Sequence, residues 1–320
     1  FPHDLLVAGR HSIRRARVPV EEIAGTLEVF EHAQIIVAAL PDVGNEQADR
    51  VGLRHGFKCT RGIDTLYGYR LPDADLRLLV YNIRYATGTG PTFHLPLPGA
   101  GYLRSSNRVL RGITQFVRAE NADVVGLIEV DTGSIRSGMV NQAAYIAGEL
   151  GHYTTYQSKY SANSLNQFMP VVRKQANAFL AAPRVTGERF HYFDTGIKRL
   201  IIELELDDVC VFLVHLSLKF RHRQYQLRSL HDLIVRSPKP VIVAGDFNTF
   251  WGTHEIYLFM RAAGLVSANP QNLPSFPARH PRVELDFILV SQGIEVSNFR
   301  VPDVRFSDHR PIVCDFNVRS

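Results

Sequence analysis

The sequence predicts an α/β protein built on a two-sheet sandwich flanked by helices, with a small α/β segment at its N-terminal end. Three observations carry this reading. With 320 residues, 45% of them hydrophobic, the chain can fill one large α/β core, or a core plus an appendage. From Leu76 onward, strand-like apolar runs outnumber helical ones. Hairpin connections, such as Asp207-Asp208 between two apolar runs, are mixed with crossovers, which fits two sheets better than one parallel sheet.

The N-terminal segment, residues 1–75, reads as a separate β-α-β-α-β unit. Residues 5–8, 34–40 and 65–71 are strand candidates. Residues 20–32 have helical spacing through Ile23, Leu27 and Phe30, with Glu21 and Glu22 in the first turn where they favour the helix dipole. Residues 46–55 form a second helix candidate. The unit has no Gly-rich phosphate loop and no catalytic cluster, and its histidines are scattered.

Residues 76–320 form the main domain. Residues 76–83 make a strand carrying Asn82, followed by a Gly-, Pro- and Thr-rich loop at 86–101. Residues 104–120 are helical, with Val109, Ile113, Phe116 and Val117 on one face. Strands follow at 124–130, 176–181, 200–206 and 209–216, and helices at 141–150, 224–236 and 253–263. There is no internal repeat.

Composition limits the function classes. The net charge of +5 and a pI near 9.2 suit an anionic partner or an ordinary basic enzyme. No apolar run approaches the ~18 residues of a membrane-spanning helix. Cys59, Cys210 and Cys314 are far apart, which argues against a structural zinc site and for reduced core thiols in a cytoplasmic protein, at most at a membrane surface. The chain opens on Phe1 rather than Met, leaving room for a targeting segment removed before it.

The chemistry concentrates where apolar strands meet polar residues. Val241-Ile-Val-Ala-Gly-Asp246-Phe-Asn248, Val283-Glu-Leu-Asp286-Phe and Phe306-Ser-Asp308-His309-Arg-Pro each place a carboxylate at a strand boundary, as does Glu129 upstream, and Asn82 places an amide oxygen at another. Desolvating an unpaired carboxylate is costly, so such groups are paired or bind a cation. Converging on one rim they make an all-oxygen site, which selects Mg²⁺ or Mn²⁺ over zinc. Singly, each has an ordinary reading: Asp246 as a turn residue, Glu129 as a solvated strand end, Asn82 as a loop cap, His215 in Leu213-Val-His-Leu216 as a core histidine.

Taken in order, the pieces resemble the endonuclease/exonuclease/phosphatase superfamily of DNase I-like enzymes. The matching segments are Val80-Tyr-Asn82-Ile, Gly126-Leu-Ile-Glu129-Val, Gln175-Ala-Asn177-Ala, Val214-His215-Leu, Gly245-Asp246-Phe-Asn248, Leu285-Asp286-Phe-Ile-Leu and Ser307-Asp308-His309-Arg-Pro. The resemblance implies a four-layer sandwich of two mixed sheets and hydrolysis of a phosphoester by in-line attack of water. It implies that Glu129, with Asn82 and Asp308, holds the divalent ion, and that Asp246 orients or deprotonates the water or helps bind a second ion. Asn248 and Asn177 would donate to phosphate oxygens. His309, oriented by Asp286, would serve proton transfer or stabilise the pentacovalent phosphorane, and His215 would contact the phosphate or assist the leaving group.

Substrate clues are fewer. Glu284-Leu285 precede Asp286 where apurinic endonucleases usually carry a basic residue, and Gln175 replaces the usual Gly of the fourth element. Pro274-Ser-Phe-Pro277 resembles bacterial members encoded near phospholipid-metabolism enzymes. A phospholipid headgroup or phosphorylated metabolite is therefore the expected partner. A nuclease, supported by the basic pI and runs such as Arg221-His-Arg223, and an inactive scaffold of the same fold are the alternatives.

Overall fold

A computed structural model describes residues 75–89, 105–159, 171–182, 184–196 and 198–319. The expected N-terminal unit, with Cys59, and most of the 86–101 loop lie outside the described residues. Four helices and twelve strands are described. In chain order they are β1 (Leu76–Asn82), α1 (Asn107–Glu120), β2 (Val124–Asp131), α2 (Gln142–Leu150), β3 (Tyr153–Ser158), β4 (Gln175–Ala181), β5 (Gly187–Tyr192) and β6 (Leu200–Glu205). They continue with β7 (Cys210–His215), α3 (Phe220–Ile234), β8 (Val241–Asp246), α4 (His254–Ala262), β9 (Leu265–Ser267), β10 (Asp286–Ser291), β11 (Ile294–Arg300) and β12 (Ile312–Val318).

The strands form two six-stranded sheets, ordered β11-β12-β1-β2-β4-β3 and β5-β6-β7-β8-β10-β9. Both are mixed: β1–β2 and β7–β8 are parallel and the other pairs antiparallel. The core lies in three layers. Between the sheets, Val80, Ile128, Phe179, Leu213, Ile242 and Ile288 pack face to face. Ile113 and Val117 of α1 and Ile146 of α2 cover the outer face of the first sheet. Leu230 and Ile234 of α3 and Ile256 and Phe259 of α4 cover the second. The expected helix–sheet–sheet–helix sandwich is thus what the chain builds.

Local chemistry explains the boundaries. Ser106 caps α1, its side chain accepting from Val109 N, so this helix starts three residues later than expected. Asn141 caps α2 in the same way. Helix α3 begins at Phe220 rather than near Gln224 and ends at Ile234, because the buried Arg223 in its first turn binds the Ser217 and Leu218 carbonyls. β10 begins at Asp286, whereas Val283 only bridges to Phe276.

Two glycines fix how closely elements approach the site. A Cβ on Gly126 of β2 would lie 2.8 Å from Leu213 of the opposite sheet. A Cβ on Gly245 of β8 would lie 1.9 Å from the Val214 carbonyl oxygen, and Gly245 has φ +145°. Gly148, on the exposed side of α2, meets nothing. Gly245→Ala is therefore expected to destabilise the fold by about 3 kcal/mol or more, whereas Gly148→Ala gains up to about 1 kcal/mol from helix propensity. Urea unfolding followed by circular dichroism checks both signs.

Candidate active site

The second sheet sets three chemical groups in a row. In the parallel β7–β8 pair, His215 stands opposite Asp246. In the antiparallel β8–β10 pair, Asp286 stands opposite Asp246 from the other side. Because β10 runs against β8, the first residue of one strand meets the last residue of the other on the same edge.

The first sheet supplies the opposing groups. Asn82 ends β1, and its amide donates to Asp246 Oδ2 at 3.1 Å, joining the sheets. Glu129 lies in β2 at a register shift, where Ile128 and Glu129 face Asn177 alone on β4. Such a bulge re-aims a side chain. Glu129 takes φ +57°, an uncommon conformation for a residue with a Cβ, and its N–H is held by Asn177 Oδ1 at 3.3 Å. Strain kept in a buried strand is the mark of a position shaped for function.

Loops complete the group. His309 Nδ1 lies 2.8 Å from Asp286 Oδ2, and His309 Nε2 lies 3.8 Å from Asp246 Oδ2. Ser275 donates to the same Asp286 oxygen at 2.6 Å, and Phe276 packs against the His309 ring at 5.0 Å between centroids. His215 Nε2 lies 3.3 Å from Asp246 Oδ2. Asn248, at φ +53°, donates its backbone N–H to Asp246 Oδ1 at 3.0 Å and one side-chain N–H to Leu216 O at 2.9 Å.

Asp246 is thus the hub, joined to Asn82, His215 and Asn248 and facing His309. Of the expected cation ligands, Asn82 touches Asp246 directly. Glu129 instead faces Lys159 at 3.7 Å, and Asp308 faces Arg84 at 3.5 Å. Among the described residues, the His and acidic groups whose ligand atoms all lie within 4.8 Å are Asp246, Asp286 and His309. His309 Nδ1 is already committed to Asp286, so this trio serves proton transfer better than ion binding. The oxygen donors Glu129, Asn82, Asp246 and Asp308 suit a hard cation by chemistry.

Three cationic side chains escape the sequence reading. Lys159, which follows β3, is buried and bonded to the Tyr85 hydroxyl at 3.2 Å as well as facing Glu129. Lys198, between β5 and β6, contacts His215 Nε2. Arg84 follows β1 in a one-turn 3₁₀ helix with Tyr85 and Ala86, all at positive φ. Adjacency to Asn82 is the one local signal for Arg84, and it was not read; nothing in the local pattern points to the two lysines.

A model of the Endonuclease/Exonuclease/phosphatase family matches residues 79–309, a span that begins at β1 and ends on His309. The chain belongs to this family. Over 117 residues it is 32% identical to the uncharacterized protein YbhP of Escherichia coli K12, covering 34% of this chain and 46% of that protein, about half the relative's length. A solved endonuclease/exonuclease/phosphatase of Beutenbergia cavernae superposes with a TM-score of 0.59 at 20% identity, covering 77% of this chain and 72% of that one. A mannosyl-6-phosphatase of Bacteroides thetaiotaomicron superposes with a TM-score of 0.56 at 14% identity, covering 76% and 99%. At these identities the structural likeness speaks for the fold.

As a family member, the chain carries the site's charges in an ordered way. Burial works against the charge on Asp246, but His309, His215 and Lys198 overcome it and hold this carboxyl well below the usual range. Burial likewise opposes ionisation of Glu129, and Lys159, His215 and Lys198 still lower it to about 2. His215 is pushed down to about 3 by burial and by the two lysines, so it is neutral at pH 7. Burial would lower His309 too, yet Asp286 and Asp246 outweigh it and raise the imidazole to about 10. Burial drives Asp286 upward. Glu284 is buried and accepts from Asn269 at 2.7 Å.

The His309 shift carries a stability consequence. A folded-state value raised from 6.5 to about 10 stabilises the fold fully below pH 6.5, and the gain is lost as pH rises toward 10. Asp286→Asn removes the strongest partner. Its His309 ring signals in NMR are expected to titrate at a clearly lower pH than in wild type, and the alkaline stability loss to flatten. Unchanged His309 titration would show that Asp286 does not hold the proton.

Proposed function

We propose that the chain hydrolyses phosphoesters with the help of a hard divalent cation, Mg²⁺ or Mn²⁺. The observation that carries this reading is Asp246, a buried carboxylate bonded to Asn82 across the sheet seam and faced by His215 and His309. Glu129, Asn82, Asp308 and Asp246 are the residues that would hold the ion. When bound, it would polarise the scissile phosphate and neutralise charge building on its oxygens.

The chain's own residues divide the remaining work. Asp246 orients the attacking water and accepts its proton as the oxygen bonds to phosphorus in line with the leaving group. The imidazolium of His309, held by Asp286, gives a proton to the departing oxygen as the opposite P–O bond breaks. His215, being neutral, contributes a hydrogen-bonding nitrogen rather than a charge. Asn177, Asn248 and the ammonium groups of Lys159 and Lys198 face the developing negative charge.

A phospholipid headgroup or small phosphorylated metabolite is the substrate class we favour. The buried Glu284 before Asp286 supports this, since it offers no cation to a nucleic-acid backbone there. A fold neighbour that is a mannosyl-6-phosphatase supports the same class.

The test is turnover of a panel: phosphatidylinositol phosphates, sphingomyelin, sugar phosphates, a bis-aryl phosphate and plasmid DNA. Asp246→Ala and His309→Ala are each expected to lower kcat by about 10²–10⁴-fold on every accepted substrate, and chelation by EDTA to abolish turnover until Mg²⁺ is restored. An unchanged rate in Asp246→Ala would refute the mechanism. Cleavage confined to DNA and falling steeply with salt would move the substrate class to nucleic acid. No Mg²⁺-dependent turnover across the panel would leave a scaffold.

A further inference from the structure

Helices α3 and α4 pack side by side against the second sheet and present an outward face that no described residue covers. Its apolar content is unusual. Leu258 is 80% exposed, Tyr257 58%, Trp251 55% and Phe220 52%. Single exposed apolar residues are ordinary, but three on the two helices and one on the connection leading into α4 form a feature. Phe220 and Trp251 are linked physically. Arg223 lies against the Phe220 ring and pairs with Glu255, and Glu255 accepts the backbone N–H of Trp251 at 2.9 Å.

The charge on these two helices is mostly positive. From residue 216 to 264 the acidic residues are Asp232, Asp246 and Glu255. Asp246 belongs to the active site and Glu255 is buried, leaving Asp232 exposed. Lys219, Arg221, Arg228 and Arg261 are exposed on the same two helices and their approaches.

The face also borders the active site. Phe220 follows His215 by five residues and Trp251 follows Asp246 by five, so both connections leave the edge where the catalytic groups sit. Phe250, next to Trp251, packs on Phe276 at 6.0 Å, and Phe276 packs on His309.

We propose that this α3–α4 face docks the enzyme on an anionic lipid bilayer. Aromatic side chains settle at the boundary between headgroups and hydrocarbon, and Lys and Arg beside them are drawn to anionic lipids. The aliphatic Leu258 favours a bilayer over a polynucleotide, which would engage the aromatic faces and cations but offer little to an exposed Leu. A second copy of the chain is disfavoured, since two mostly positive faces repel. The proposal extends the phosphoester reading to a substrate presented at a surface, resting on that reading only for its purpose. Docking itself needs no turnover.

Trp251, the chain's 1 tryptophan, is the reporter. The full chain is mixed with phosphatidylcholine vesicles with and without phosphatidylglycerol, and read by co-sedimentation and Trp251 emission. Expected are binding that requires the anionic lipid, a blue shift of Trp251, and weakening as salt rises. Leu258→Glu and Arg221→Glu should each weaken binding by about fivefold or more, roughly what one interfacial residue contributes, while leaving turnover of a soluble bis-aryl phosphate unchanged. Equal partition into both vesicle types, or no partition, would overturn the proposal. So would an emission shift produced only by an oligonucleotide, or a concentration-dependent dimer by light scattering that buries Trp251. Vesicle binding without turnover of any phosphoester would separate this inference from the proposed activity, keeping the first and removing the second.

Discussion

The structure turns on keeping a negative charge on Asp246 where almost no water reaches it. A carboxylate that buried is tolerated only with partners on several sides. The partners come from Asn82 on one sheet, His215 on the other, the Asn248 backbone and the loop bearing His309. Bringing them together requires the two sheets to pack face to face with their polar strand ends on one rim, and the parallel β7–β8 pair to run in tight register. Gly245 makes that register possible, since any side chain there would strike the Val214 carbonyl. Gly126 performs the corresponding task between sheets, where Leu213 occupies the space a Cβ would need. The fold and the site are therefore one constraint: the packing that buries the core also brings each charge its partners.

What could be read from the sequence divides along the same physical line. β1, β2, β4, β6, β7, β8 and β10 lie inside their sheets, bury residues on both faces and stand out as apolar runs. The strands that escaped notice, β3, β5, β9 and β11, are the four outer strands of the two sheets. Their sequences show why. Tyr153-Thr-Thr-Tyr-Gln-Ser158 and Gly187-Glu-Arg-Phe-His-Tyr192 mix charge and polarity with aromatics, as strands do when one edge must not recruit another chain. Local pattern reports burial, and edge strands are only half buried.

The site divides similarly. Asn82, Glu129, Asp246, Asp286 and His309 were legible because a polar residue at the boundary of an apolar run is conspicuous. The bulge that turns Glu129 was not, because it arises from pairing Ile128 and Glu129 against Asn177 on another strand. Lys159 and Lys198 were hidden for a related reason. They sit in segments of ordinary polarity, and only the folded chain makes them counter-charges to Glu129 and neighbours of His215. Ser275 was noticed only as part of Pro274-Ser-Phe-Pro277, and its hydroxyl on the Asp286 carboxylate is a contact that only the fold makes.

On the proposed reading the groups at the seam would meet a phosphate and a water, and they carry little information about what the phosphate is attached to. Selectivity must come from the rim, which is built differently. Trp251 is held through Glu255, and Glu255 through Arg223, an ion pair buried between α3 and α4 that shares no atom with the Asp246 cluster. Phe250 and Phe276 join the rim to His309 by ring packing alone. A change at Trp251, Phe220 or Leu258 therefore leaves the charges around Asp246 undisturbed. The converse does not hold. A change at Gly245 or Asn82 strikes the seam, and the seam holds both sheets. The charge cluster is thus anchored by the packing of the sheets, while the rim is carried on connections anchored to themselves.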